Sequence, residues 1–304
     1  MADSAHDDAT TLALTPVEPF SFEQSLGFLR GFTPCSGDHH CSSGVFTTGG
    51  YADGDPFVAT VIDTYAGQLA VGVEWLDRPG DLDAVGRWLR AFLSLDDDLG
   101  GMYETAEHDA AFARVVQALY GYHHVRFSTP FEAACWAALS QRTPMSVATH
   151  LKRALVEACG RVVERNGAEV ALFPTPAMVL ANDAAVRAAI DHDRKAKTVL
   201  GAAEAFATED LSALADAPLE ARLADVWGFG EWSSEFITLR GFGRLSGLPR
   251  TEDALREAVA DLYELADDAA TDADLTRLSA PYAPQAGYWA HYIRVWAFRQ
   301  SLDE

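Results

Sequence analysis

The chain has 304 residues, a hydrophobic fraction of 49% and no apolar run near the roughly 18–20 residues that span a bilayer, which excludes bulk disorder and a transmembrane helix. Forty-five acids stand against 23 bases, a formal net charge of −22, and only three of the bases are lysines (Lys152, Lys195, Lys197). An Asp-rich, Lys-poor surface suits a cytoplasm of very high salt, where screening removes self-repulsion, so a halophilic source is expected. The N-terminus is acidic without an apolar stretch, and four scattered cysteines form no disulfide framework. A soluble, cytoplasmic protein with reduced thiols is the expectation.

In chain order, residues 1–18 read as an acidic disordered tail. From Phe20 a short amphipathic segment leads into GVFTTGG, FVATVIDTY and QLAVGVEWL, whose β-branched and aromatic residues alternate as in a small antiparallel sheet. DLDAVGRWLRAFL, with apolar residues at helical spacing, closes an α+β domain at 19–94. Residues 95–304 read as helical throughout, from DAAFARVVQALY and FEAACWAALSQ through SVATHLKRALVEACGRVVE to GYWAHYIRVWAFRQ. The surplus negative charge avoids two segments: 109–170 holds 5 acids and 7 bases, and 222–250 holds 3 and 4. An anionic ligand could dock there although −22 as a whole argues against one.

The sharpest motif is Asp225-Val-Trp-Gly-Phe-Gly-Glu-Trp-Ser-Ser-Glu-Phe236. Gly228 and Gly230 before a helix start permit positive φ and let backbone N–H groups face a phosphate, although an ordinary helix–Gly turn–helix reads the same way. Trp232 and Phe236 lie i, i+4 and share a helix face. Acids stand at Glu252 and Asp253 as a helix begins, where the helix dipole favours them whatever their role, with Thr251 as the expected N-cap. Cys35-Ser-Gly-Asp-His-His-Cys41 gathers metal-ligand types, but C-x5-C without a second pair is poor zinc spacing.

Taken in order with the loop at Gln141-Arg142 and the Leu239-Arg240-Gly241 landmark, these elements resemble the helix–hairpin–helix DNA glycosylases, in particular the 3-methyladenine DNA glycosylase II branch of halophilic archaeal type. The resemblance covers about 20–300 and implies a TBP-like N-terminal sheet domain followed by an all-α helix–hairpin–helix domain. It implies a monomeric enzyme that flips a damaged base from double-stranded DNA in base-excision repair.

The resemblance also implies roles. Gly228 and Gly230 would hold the phosphate backbone, and Gln141 and Arg142 the gap left by the flipped base. Trp232, Phe236 and Trp296 would form an aromatic pocket attractive to a cationic alkylpurine, Trp296 reading equally as helix packing. Glu252 would be the catalytic carboxylate, a departure from the family's aspartate, with Asp253 as the alternative one residue on. Trp232 stands where bifunctional relatives carry a Schiff-base lysine, which favours a monofunctional hydrolase. No iron–sulfur cluster is expected from the cysteine spacing, and backbone carbonyls of Ala224, Val226 and Phe229 would hold a monovalent cation. A catalytically silent relative that binds damaged or distorted DNA is the alternative.

Overall fold

The computed structural model describes residues 10–64, 66–165 and 167–303, and no helix among them is long and apolar enough to cross a membrane. Five strands, β1 (Thr10–Leu14), β2 (His40–Ser42), β3 (Val45–Ala52), β4 (Asp55–Asp63) and β5 (Leu69–Trp75), form an antiparallel sheet in the order β1-β5-β4-β3-β2. Period-two alternation fixes its register: Phe57, Ala59 and Val61 of β4 and Leu69, Val71 and Val73 of β5 all turn inward. Helix α1 (Phe22–Gly31) precedes β2, and α2 (Leu82–Phe92) covers one sheet face with Val85, Leu89 and Phe92.

The tail reading fails from Thr10 onward, because Thr10–Leu14 pairs with β5 as an edge strand; positions 1–9 lie outside the described residues. Only five residues long and flanked by acids, β1 offers little local pattern, and its partner lies about sixty residues away.

The second part is helical: α3 (Gly100–Ala106), α4 (Ala110–Ala118), α5 (Pro130–Ser140), α6 (Met145–Cys159), α7 (Pro176–Ala181), α8 (Asp183–Ile190), α9 (Asp193–Thr208), α10 (Asp216–Ala224), α11 (Glu231–Arg240), α12 (Asp253–Leu262), α13 (Asp272–Ser279) and α14 (Ala286–Asp303). It is not all-α. The expected helix over 146–164 ends at Cys159, and β6 (Arg161–Arg165) pairs with β7 (Ala168–Leu172) around Gly167, whose φ is +77°. Asn166-Gly167 between two β-branched runs is a hairpin signal that the helical periodicity upstream obscured. This hairpin docks on β3, where the pair Gly49-Gly50 admits neighbours on both faces. A Cβ at Gly49 would meet Leu172 at 2.7 Å, and one at Gly50 would meet the Trp88 indole at 3.0 Å.

Packing divides the chain differently from a cut at 94/95. One core joins the sheet and α2 to α3, α4, α12, α13 and α14, and the other gathers α5 to α11. The chain therefore leaves the first core near Val125, builds the second, and returns at Leu245. Helix α5 is buried on nearly all sides, as a central helix must be, and apart from Glu132 its buried side chains are apolar or a thiol.

Candidate active site

Between the two cores lies a cavity of about 370 Å³, within the roughly 300–1,000 Å³ of ligand sites. Helix α11 supplies Trp232 and Phe236, whose rings stack with centroids 5.2 Å apart at 21°. Phe236 also meets Phe127 edge-to-face, with centroids 5.8 Å apart, which helps to fix the pair. Helix α1 and the turn after it add Phe28 and Phe32, stacked at 4.9 Å.

Glu252 lines the same cavity. It is the N-cap residue of α12 by backbone conformation, yet its side chain makes no capping hydrogen bond. Instead Arg294 Nε of α14 donates to its Oε1 at 2.7 Å. The preceding residue is pinned from α11: Thr251 donates both its amide, at 3.3 Å, and its hydroxyl, at 2.5 Å, to Glu235 Oε2. The expected Thr251 cap is thus replaced by a tether that ties the carboxylate's loop to the Trp232 helix. Asp253 is the first residue of α12, exposed and outside the cavity, because one helical step rotates a side chain by about 100°. Trp296 is also elsewhere. It packs against the sheet-side core, and α14 offers the cavity His291, Arg294, Val295, Phe298 and Arg299 instead.

The hairpin turn between α10 and α11 is held tightly. Val226 and Phe229 are buried, and Gly228 sits at φ +91°, where a Cβ would lie 2.2 Å from Thr198 Oγ1. Gly230 is extended rather than left-handed, and a Cβ there would meet open space. Gln141 Nε2 donates to Gly228 O at 3.0 Å and to Ser233 Oγ at 2.9 Å, so Gln141 ties its loop to the turn. Lys195 Nζ donates to the carbonyls of Ala138, Leu139 and Gln141 and so caps the end of α5. Arg142, at φ +50°, stands exposed beside this scaffold. Trp227, 45% exposed at the turn, carries Lys197 Nζ 4.0 Å and Arg194 Cζ 5.6 Å from its ring centroid.

The Cys35–Cys41 segment does not form a pair of ligands. Cys41 lies on β2, while Cys35, Asp38 and Glu132 converge on the ammonium of buried Lys152. That ammonium donates to Pro34 O at 2.9 Å and to Asp38 Oδ2 at 2.5 Å and pairs with Glu132 Oε1. Burial alone would lower its pKa, but Asp38, Cys35 and Glu132 raise it well above the usual value, so it stays charged. The donors that a metal would need already face a cation.

Arg240, Glu235, His291 and Arg294 also line the cavity, and sequence reasoning does not single them out. Their partners are far apart in the chain, so no spacing could have joined them.

No family model matches the chain. Its backbone superimposes on the 3-methyladenine DNA-glycosylase of Archaeoglobus fulgidus with a TM-score of 0.77 at 21% identity, covering 94% of this chain and 98% of that one. The fold is that of the DNA glycosylases. An 8-oxoguanine glycosylase/lyase of Clostridium acetobutylicum shares it too, with a TM-score of 0.65 at 15% identity over 94% of this chain and 95% of that one. In sequence the chain is similar to the DNA-3-methyladenine glycosylase of Bacillus subtilis, 24% identical over 219 residues, 69% of this chain and 71% of that protein. Within this glycosylase fold, the aromatic cavity, the carboxylate and the glycine turn lie side by side.

Proposed function

We propose that the protein is a monofunctional DNA N-glycosylase, which flips a modified purine out of duplex DNA and hydrolyses its N-glycosidic bond. The observation that carries the reading is a carboxylate, Glu252, in one cavity with the stacked Trp232 and Phe236. The flipped base would lie against these rings. The Glu252 carboxylate, steadied by Arg294, would stabilise the developing oxocarbenium sugar and orient the attacking water. Alkylated purines of the 3-methyladenine type are the class that the names of two relatives favour.

The lysines support a hydrolase without lyase activity. Lys152 is buried in its ion cluster, Lys195 caps α5 and Lys197 rests on Trp227, so no lysine among the described residues lines the cavity to attack the sugar. Gly228, Gly230 and Arg142, with Lys197 and Arg194 beside them, would meet the DNA backbone of a duplex bound by a monomer. A monovalent cation on the hairpin carbonyls would add to that grip. Val226 O already accepts the Phe229 amide at 3.0 Å, which leaves Ala224 and Phe229 as the freer donors. Cytoplasmic base-excision repair is the setting this reading implies.

Glu252→Gln is expected to lower base release from methylated duplex DNA by about a hundredfold or more while leaving DNA binding intact, and Asp253→Asn to leave both unchanged. Gel assay of abasic-site formation reads this, and full activity in Glu252→Gln removes the carboxylate from the mechanism. The Arg294–Glu252 ion pair also suits a silent damaged-DNA binder. That alternative predicts affinity for abasic-analogue duplex with no base released at any enzyme concentration.

A further inference from the structure

Three guanidiniums, of Arg240, Arg294 and Arg299, stand in the cavity wall against two carboxylates, of Glu235 and Glu252. A nucleotide sugar that is losing its base becomes cationic, and a wall of this balance resists it unless a carboxylate is left to face it. Glu252 is already taken up by Arg294, whose Nε donates to Oε1 at 2.7 Å. Glu235 forms no salt bridge among the described residues. The hydrogen bonds it accepts, from the Thr251 amide and hydroxyl, both end on Oε2, which leaves Oε1 its lone pairs.

The charged groups around Glu235 do not cancel it. Glu235 also borders an open groove of about 500 Å³, where the nearest basic residue, Arg250, donates to Thr276 Oγ1 at 3.2 Å instead. In that groove burial first, and then the negative charge of Glu235, raise the Glu220 carboxyl above its ordinary pKa. Helix α11 also puts Glu235 in the right place. It lies i+3 from Trp232 and directly before Phe236, and its bonds to Thr251 carry the carboxylate to the start of α12, where Glu252 stands. Neutral donors hold it there without offsetting its charge.

We propose that Glu235 is a second catalytic carboxylate of this cavity, which sets an unpaired negative charge against the sugar cation while the Arg294-held Glu252 orients the water. A base resting on the Trp232 and Phe236 rings brings its sugar to the edge of the stack, where α11 meets the start of α12. The N-glycosidic bond breaks with its electron pair on the base, and the water oxygen bonds to the anomeric carbon. The proton that the water gives up passes to Glu252 and on to solvent, or to the base where that leaves as an anion. The inference rests on the glycosylase reading and adds to it a residue on a different helix from Glu252.

Two measurements separate the inference from that reading. The first is fluorescence anisotropy of the whole protein with two duplexes, one carrying a pyrrolidine abasic analogue, whose protonated ring nitrogen imitates the sugar cation, the other the uncharged tetrahydrofuran analogue. The unaltered protein is expected to bind the pyrrolidine duplex about tenfold more tightly, and Glu235→Gln, which can still accept from Thr251, to bring the ratio near unity. No preference in the unaltered protein, or a preference that survives Glu235→Gln, overturns the inference. Should that variant not fold, Glu235→Asp carries the test: drawing the charge back by one methylene lowers the ratio about threefold, and an unchanged ratio overturns the inference. The second is single-turnover base release from methylated duplex, expected to slow at least tenfold in Glu235→Gln with affinity for the tetrahydrofuran duplex unchanged. Release at the unaltered rate overturns the inference and leaves the glycosylase reading standing. A Glu235-dependent preference for the pyrrolidine duplex with no base released from any duplex does the opposite: Glu235 faces the sugar cation site of a silent binder.

Discussion

Two cations are buried in this protein, and the fold treats them in opposite ways. Lys152, where α6 meets α5 and the turn after α1, is wrapped by Asp38, Glu132, the Cys35 thiol and the Pro34 carbonyl. Arg240, at the cavity, has two neutral imidazoles and two phenyl faces, with Tyr122 and Glu252 acting on it but no salt bridge among the described residues. The first arrangement satisfies a charge so completely that it acts as a joint between the sheet side and the helical side. The second leaves a buried charge with one nitrogen, Nη2, unpaired. Complete pairing marks structure; incomplete pairing beside a cavity marks recognition.

Breaking the joint gives the largest expected effect. Lys152→Met strands two buried carboxylates, and a loss of about 3–5 kcal/mol in unfolding free energy by urea titration is expected. A loss under about 1 kcal/mol would show that the cluster is not the joint described.

Acid attacks the other region. His124 and His291 beside Arg240 are held neutral; next to the Lys152 cluster, burial also brings the pKa of His39 to about 4. Each has a folded pKa below its unfolded value, so the unfolded chain binds more protons as pH falls through the ordinary histidine range. Stability is therefore full above about pH 6.5 and declines below it, until the native pKa is reached for each group. Melting temperatures measured downward from neutral pH should fall, and the fall should be shallower in His291→Gln.

The glycine turn gives the next effect: Gly228→Ala must adopt φ +91° and push Thr198 aside, at about 1–3 kcal/mol and with weaker duplex binding in a filter assay. Smallest is Arg240→Met. Removing a cation that forms no salt bridge among the described residues should change stability by less than about 1 kcal/mol, in contrast to Lys152→Met. Equal destabilisation by the two would erase the distinction between the regions.

What the sequence reveals follows the range of the interactions. Trp232 and Phe236 share a helix face by an i, i+4 spacing, and Glu252 stands at the start of a periodic helix, so both are visible locally. Asp253 could be set aside only once the cavity was in view. Arg240 looks like any arginine at a helix end, because His124, Phe28 and Phe32 lie more than a hundred residues away in the chain. The strand at Thr10–Leu14 and the hairpin at 161–172 were hidden for related reasons. One is too short to show its period, and the other follows a helix whose apolar spacing continues in the sequence past Gly160.

The scarcity of lysine has a practical consequence. With Lys152 enclosed by carboxylates and Lys195 tied to three carbonyls, the side-chain amine best placed for an acylating reagent is Lys197, on the ring of Trp227 at the glycine turn. The chain therefore carries a built-in footprinting label: the rate at which that amine reacts, followed by peptide mass, reports whether a duplex has covered the turn.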